Sequence, residues 1–175
     1  MATVYHRDDS GAPTFAFSSS GTNIAHFAAL KTILKACLVS GYGSKAAAGW
    51  VLIAEGERHL VLRNGSASGY VCFTSVAGTS HVTIYLASTF TGMAGDVMTG
   101  AGLKTGTGAN GSSFQHRLWI PVLAWASAST TWYVLADEKT FYFQGGGGSF
   151  LFEFSTSDIG AMNPLYVGED SQGNF

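Results

Sequence analysis

The residues Gly106-Thr107-Gly108-Ala109-Asn110-Gly111 have the GxGxxG spacing of a loop that sets backbone amides against a pyrophosphate. That chemistry needs a strand before the motif and a helix after it, so that the helix N-terminus meets the phosphates. Here Gly100 to Thr105 precede it and a strand-like run follows, so the segment reads as a loop without a nucleotide. The five histidines, His6, His26, His59, His81 and His116, share no HxH or HxxxH spacing. No local metal site is written in the chain. Glu55 and Glu57 stand together at an expected hairpin tip, and Asp137 and Glu138 at an expected turn. Carboxylates so placed face water, whereas glycoside hydrolysis needs a pair flanking a cleft. No G-x-S-x-G elbow occurs. Asn64-Gly65-Ser66 and Asn110-Gly111-Ser112 fit the glycosylation triplet, but without a secretion signal they read as turns. The expectation is a non-enzymatic chain with no cofactor and no metal.

Composition narrows the function further. Charged residues are 11% of 175 positions, against about 25% in an ordinary domain. A free monomer stays in solution on a mixed, charged surface. So poorly charged a chain is expected to cover much of its surface with neighbours, as a homo-oligomer. The net charge of −2 and pI near 6.2 give no basic face for nucleic acid and no attraction to an anionic membrane. The first residues carry no apolar stretch of the signal-peptide kind. No apolar run approaches the roughly 20 residues that span a bilayer. Cys37 and Cys72 are a lone pair, expected as small buried hydrophobes of a chain made in a reducing cytoplasm.

The elements that must position any site follow from periodicity. Residues 1–20 are polar and turn-rich, with Pro13-Thr14-Phe15-Ala16-Phe17 as an extended stretch, and read as an N-terminal arm. A helix is expected over 22–40, capped by Thr22 or Asn23 and ended by Gly41. Ile24, Phe27, Ala28, Leu34, Cys37 and Leu38 make its apolar stripe, with the stem of Lys31 lying along it. Residues 50–167 read as strands and loops. Trp50–Ala54 and Arg58–Arg63 form a hairpin, followed by strands at Gly69–Thr74, His81–Leu86, Phe114–Ala126 and Thr131–Ala136. Thr140–Gln144 is expected to pair with Ser149–Phe154 across four glycines. Residues 89–113, with seven glycines, read as a structureless loop, and 168–175 as a polar tail. The fold class is α+β: one domain, a β-rich antiparallel sheet or sandwich with a single N-terminal helix.

Three stretches carry a resemblance. Ala36-Cys37-Leu38-Val39-Ser40-Gly41-Tyr42-Gly43-Ser44-Lys45-Ala46-Ala47-Ala48-Gly49-Trp50 resembles the A-C-L-V-x-G-Y-G-x-K-x-A-A-G-W block of a group of tailed-bacteriophage virion structural proteins. In that group a short Val-Tyr-Arg arm precedes the helix, and this chain offers Val4-Tyr5-His6-Arg7-Asp8-Asp9 with Ala12-Pro13 behind it. Ala136-Asp137-Glu138-Lys139-Thr140-Phe141-Tyr142, after a strand, is similar to the group's A-D-E-x-T-F-Y signature. The stretch 89–113 finds no counterpart there. The resemblance implies a virion component made in the bacterial cytoplasm, either capsid decoration or a tail or baseplate accessory. Its implied partners are copies of itself and other virion proteins, and it brings no catalytic residues with it.

Within that expectation the arm and the glycine-rich loop are candidate contacts between subunits. The residues are Val4, Tyr5, Phe15 and Phe17 on the arm and Gly102, Gly106, Gly108 and Gly111 in the loop. Two rivals stand beside it. A glycan- or receptor-binding module of the same particle would need exposed Trp or Tyr beside polar groups. A small hydrolase would need a pocket with convergent carboxylates or a Ser-His pair.

Overall fold

Two antiparallel sheets and one helix enclose a common core. The computed structural model describes residues 1–14, 23–75, 81–103, 116–119, 131–146, 165–169, 172–173 and 175. The elements begin with β1 (Thr3–His6) and α1 (Asn23–Lys35), the latter running into a π-helical turn (Ala36–Ser40). Then come β2 (Val51–Glu55), β3 (His59–Arg63), β4 (Tyr70–Ser75), β5 (His81–Ala87), β6 (Gly92–Ala94) and β7 (Val97–Thr99). The last four are β8 (His116–Trp119), β9 (Thr131–Ala136), β10 (Thr140–Gly146) and β11 (Leu165–Gly168). The fold is α+β, with antiparallel sheets β2-β3-β4-β5-β8 and β1-β9-β10-β11 and a small β6–β7 hairpin. Among the described residues no helix is long and apolar enough to cross a membrane.

One core joins the two sheets and the helix. It holds Leu60, Leu62, Val71, Phe73 and Ile84 of the five-stranded sheet and Tyr5, Trp132, Val134, Phe141, Phe143 and Val167 of the four-stranded one. Phe27, Leu30, Ile33, Leu34, Cys37 and Leu38 close it from the helix. The helix therefore buries a broader face than a single stripe. Leu30 and Ile33 are fully buried, whereas Ala28, expected inside, is exposed and Ile24 is half-buried. Lys31 does lie along the stripe, its ammonium near the Phe27 ring and donating to the Gly56 carbonyl. A second, smaller cluster occupies the other face of the five-stranded sheet. There Val61, Cys72, Tyr85 and Ala87 meet Met98, Met93 and Phe90 of the hairpin region.

The helix ends where the chain turns back on it. Gly41 has φ +74 and Gly43 φ +53, and a side chain at Gly43 would run into the Ser10 carbonyl. Only glycine adopts such angles without strain. The last helical carbonyls are then satisfied by the returning chain: Ala48 N–H donates to Cys37, and Gly49 and Trp50 N–H donate to Leu38.

Several expectations are corrected. The N-terminal arm is not free over its first residues: Thr3–His6 is a strand of the four-stranded sheet, paired to Tyr133–Ala136. The stretch from Thr89 is not structureless as far as Leu103, because Gly92–Ala94 and Val97–Thr99 pair as a hairpin with Met98 buried beneath. The tail is not wholly polar and solvated: Glu169 is nearly buried, and Phe175 packs on the core beside Trp50. β10 has β9 on one side and β11 on the other; its expected partner Ser149–Phe154 lies outside the described residues. Of the long Phe114–Ala126 run, His116–Trp119 is strand β8 and the rest, with Pro121, also lies outside them.

Candidate interaction surface

Alternation in the four-stranded sheet sorts its side chains onto two faces. Tyr5, Val134, Phe143 and Phe141 point into the core. The residues between them point out and share one cross-strand row: Val4 opposes Leu135, Leu135 opposes Tyr142, and Tyr142 opposes Tyr166. All four are exposed, at 52%, 41%, 42% and 44%, and Tyr133 of the neighbouring row at 46%. The Tyr142 and Tyr166 rings lie 4.8 Å apart, and His6 approaches Tyr133 at 6.2 Å. The Tyr166 hydroxyl donates to the Glu169 carbonyl, which fixes that ring on the sheet. In chemical terms the face is apolar and aromatic, with hydroxyls at the ring edges.

The free edge of β1 is closed by the chain itself. Lys45 Nζ donates to the Val4 carbonyl at 2.6 Å, and the His6 amide donates to Asp9 Oδ2 at 2.9 Å. An edge strand blocked by side chains does not invite another strand. Asp9 also takes the Tyr42 hydroxyl and an ion pair from Lys45. Burial raises the Asp9 carboxyl, but the His6 amide, the Tyr42 hydroxyl and Lys45 outweigh it and hold it below the usual range. The Tyr42 hydroxyl is pushed up by burial and by donating to that carboxylate. These groups lock the arm; each is spent on a neighbour.

The corner after the helix anchors the same sheet. Trp50 Nε1 donates to the Asp137 carbonyl at 2.8 Å, and its ring meets Phe141 edge-on at 5.2 Å. Tyr42 meets Trp132 edge-on, and the Tyr5 hydroxyl donates to the Ala46 carbonyl. The Asp137 carboxylate caps its own turn, accepting from the Lys139 and Thr140 amides. Burial pushes it up, and those amides outweigh the push. Glu55 likewise is held low by Lys35, an ion pair at the hairpin tip. A surface cleft of about 240 Å³ opens between Met1, Ala48 and Asp137–Lys139, and its Asp137 is committed to that cap. Both thiols are free and buried; burial pushes Cys72 up to about 12 and Cys37 higher. Among the described residues no three His, Cys, Asp or Glu groups converge on a metal position.

The sequence-derived contacts are therefore divided. Val4 stands on the exposed face. Tyr5 points the other way and is fully buried, so it is a core residue and not a contact between subunits. Gly102 is exposed, at φ +66, in a turn the chain closes on itself through Ser88 and Thr89. Phe15, Phe17, Gly106, Gly108 and Gly111 lie outside the described residues. Tyr133 and Tyr142 belong to the aromatic-rich second half, which reads either as core or as aromatics presented on a sheet to a sugar or a partner; Leu135 and Tyr166 carry no such reading. The signal at Tyr142 is a tyrosine between two inward phenylalanines, and at Tyr133 a tyrosine between inward Trp132 and Val134; Leu135 carries no such contrast. Comparison of the chain with protein-family models, with curated proteins and with solved structures finds no match.

Proposed function

We propose that the chain is a non-enzymatic structural protein of a tailed-bacteriophage virion, assembling with copies of itself and with capsid or tail neighbours. The observation that carries this reading is the exposed apolar and aromatic face of the four-stranded sheet, on a chain with 11% charge. Such a face is what an assembled subunit covers and a solitary one has no use for. The three stretches that carry the resemblance also lend support. Residues 4–9, 36–50 and 136–142 are far apart in sequence yet meet around Tyr5, Tyr42, Trp50 and Phe141. A shared signature of that kind describes a folding unit rather than a catalytic centre.

Mass spectrometry of purified particles tests the reading. The chain is expected at a fixed ratio to the major virion proteins after gradient purification. A chain that remains with the soluble lysate, leaving particles complete and infectious without it, overturns it. The three exposed tyrosines favour a second reading, a glycan-binding module of the particle, because sugar rings stack on exposed aromatic faces.

A further inference from the structure

We infer that the outer face of the β1-β9-β10-β11 sheet is a self-association surface, occupied by the same face of a second copy of this chain. The inference rests on the structural-protein reading above and names the surface it would use. Three observations select a second copy. The first is charge. Val4, Leu135, Tyr133, Tyr142 and Tyr166 are uncharged, and His6, which flanks Tyr133, is paired with Asp9 at 3.0 Å, so the centres of two identical faces meet without like-charge repulsion.

The second is area. At their observed exposures the five side chains present on the order of 400 Å². A standard interface covers about 800 Å² on each side, with an apolar centre and a polar rim. The patch is the right size for that centre.

The third is self-complementarity. The row runs from small to large: Val4, Leu135, Tyr142, Tyr166. A twofold axis parallel to the strands, midway between β9 and β10, reverses that order in the second copy. Leu135 of one chain then lies over Tyr142 of the other, and Val4 over Tyr166. Aliphatic side chains meet rings at each step, and both copies use the same residues, as an isologous contact requires. Strand addition at β1 is a poor competitor, because Lys45 and Asp9 already occupy that edge. A glycan is the weaker occupant, since Leu135 stands at the centre of the row where a sugar would need a polar partner.

Sedimentation equilibrium of the full chain and of two variants tests this. Leu135→Glu and Tyr142→Lys each put a charge on the twofold contact and are expected to weaken association about tenfold or more. At concentrations low enough for wild type to be dissociated, their melting should nearly match it, because both positions are exposed in the subunit. An equimolar mixture of the two variants should associate again, because the new carboxylate of one chain then faces the new ammonium of the other. A wild-type chain that stays monomeric throughout the concentration range overturns the inference. So does a mixture that fails to recover, or variants that associate as wild type does. Should either variant melt early, Val4→Lys paired with Tyr166→Glu repeats the test at the ends of the row. A monomer that binds oligosaccharide, and loses it in Tyr142→Ala, assigns the face to glycan and overturns the second copy. A monomer found in particles overturns this inference alone; a dimer that passes the mixing test but is absent from particles overturns only the virion reading.

Discussion

In the five-stranded sheet the residues that point away from the shared core, Val61, Cys72, Tyr85 and Ala87, are buried against Phe90, Met93 and Met98. In the four-stranded sheet the residues in the same position, Val4, Leu135, Tyr142 and Tyr166, face solvent. Both sheets obey the same alternation. They differ in who supplies the cover. Where the chain covers its own sheet, the strands become nearly continuous apolar runs, as in Leu60-Val61-Leu62 and Val71-Cys72-Phe73. Where it does not, half of that row is tyrosine, whose ring accepts burial and whose hydroxyl accepts water.

Aspartate substitutions at adjacent positions break this comparison most directly. Leu62 and Val61 are both fully buried, one on each face of β3, so Leu62→Asp and Val61→Asp should both unfold the chain. Each buries an unpaired carboxylate, at a cost of several kcal/mol out of a total stability of about 5–15. In β9 the outcome should split. Val134→Asp should unfold it in the same way, whereas Leu135→Asp should cost the dissociated subunit only about 1 kcal/mol, the worth of its cross-strand pairs with Val4 and Tyr142. Thermal melting of the four variants decides the matter. Equal damage from both β9 substitutions would mean that the outer face is covered within the chain after all.

A smaller effect tests the joint between the helix corner and the four-stranded sheet. Trp50→Phe keeps the ring against Phe141 but removes the donor to the Asp137 carbonyl. The expected loss is about 1–2 kcal/mol, measured as a lower urea midpoint with an unchanged slope. A neutral result would leave ring packing as the whole of the joint.

Local pattern made much of this fold legible. The spacing of Phe27, Leu34, Cys37 and Leu38 announced the helix, and Gly41 its end. The β2–β3 hairpin, β4, β5 and β9 stood out as alternating or continuous apolar runs. What stayed hidden depends on partners distant in sequence. Nothing near Tyr5 says that its strand pairs with residues 133–136, more than a hundred positions on. Glycine density made Thr89–Leu103 read as loop, although Met93 and Met98 oppose one another across a short hairpin. At Tyr142 the outer face was written in a tyrosine between two phenylalanines, a contrast of one hydroxyl that becomes informative only once the strands are known to share a sheet.

The last effect lies at the far end of the open sheet and is lost only in acid. Glu169 follows β11 directly, and its carboxylate accepts from the Ser66 and Ser68 hydroxyls, from Asn64 Nδ2 at 3.0 Å, and from Lys139 at 3.2 Å. The hydroxyls, then the ammonium, outweigh its partial burial and hold it down at about 2. An unfolded glutamate titrates near 4.3. The folded value is the lower one, so as pH falls the unfolded chain takes up the proton first. The stabilisation is complete above about pH 5 and is lost between there and about pH 2. Asp9, Asp137 and Glu55 are also held low and weaken the fold over a similar range, so wild type must be compared with Glu169→Gln. The urea midpoint of wild type should exceed that of the variant by a constant margin at neutral pH, and the margin should close as pH approaches 2. A margin that widens in acid would reverse the sign and show that the carboxylate is tolerated in its pocket of hydroxyls rather than held by it.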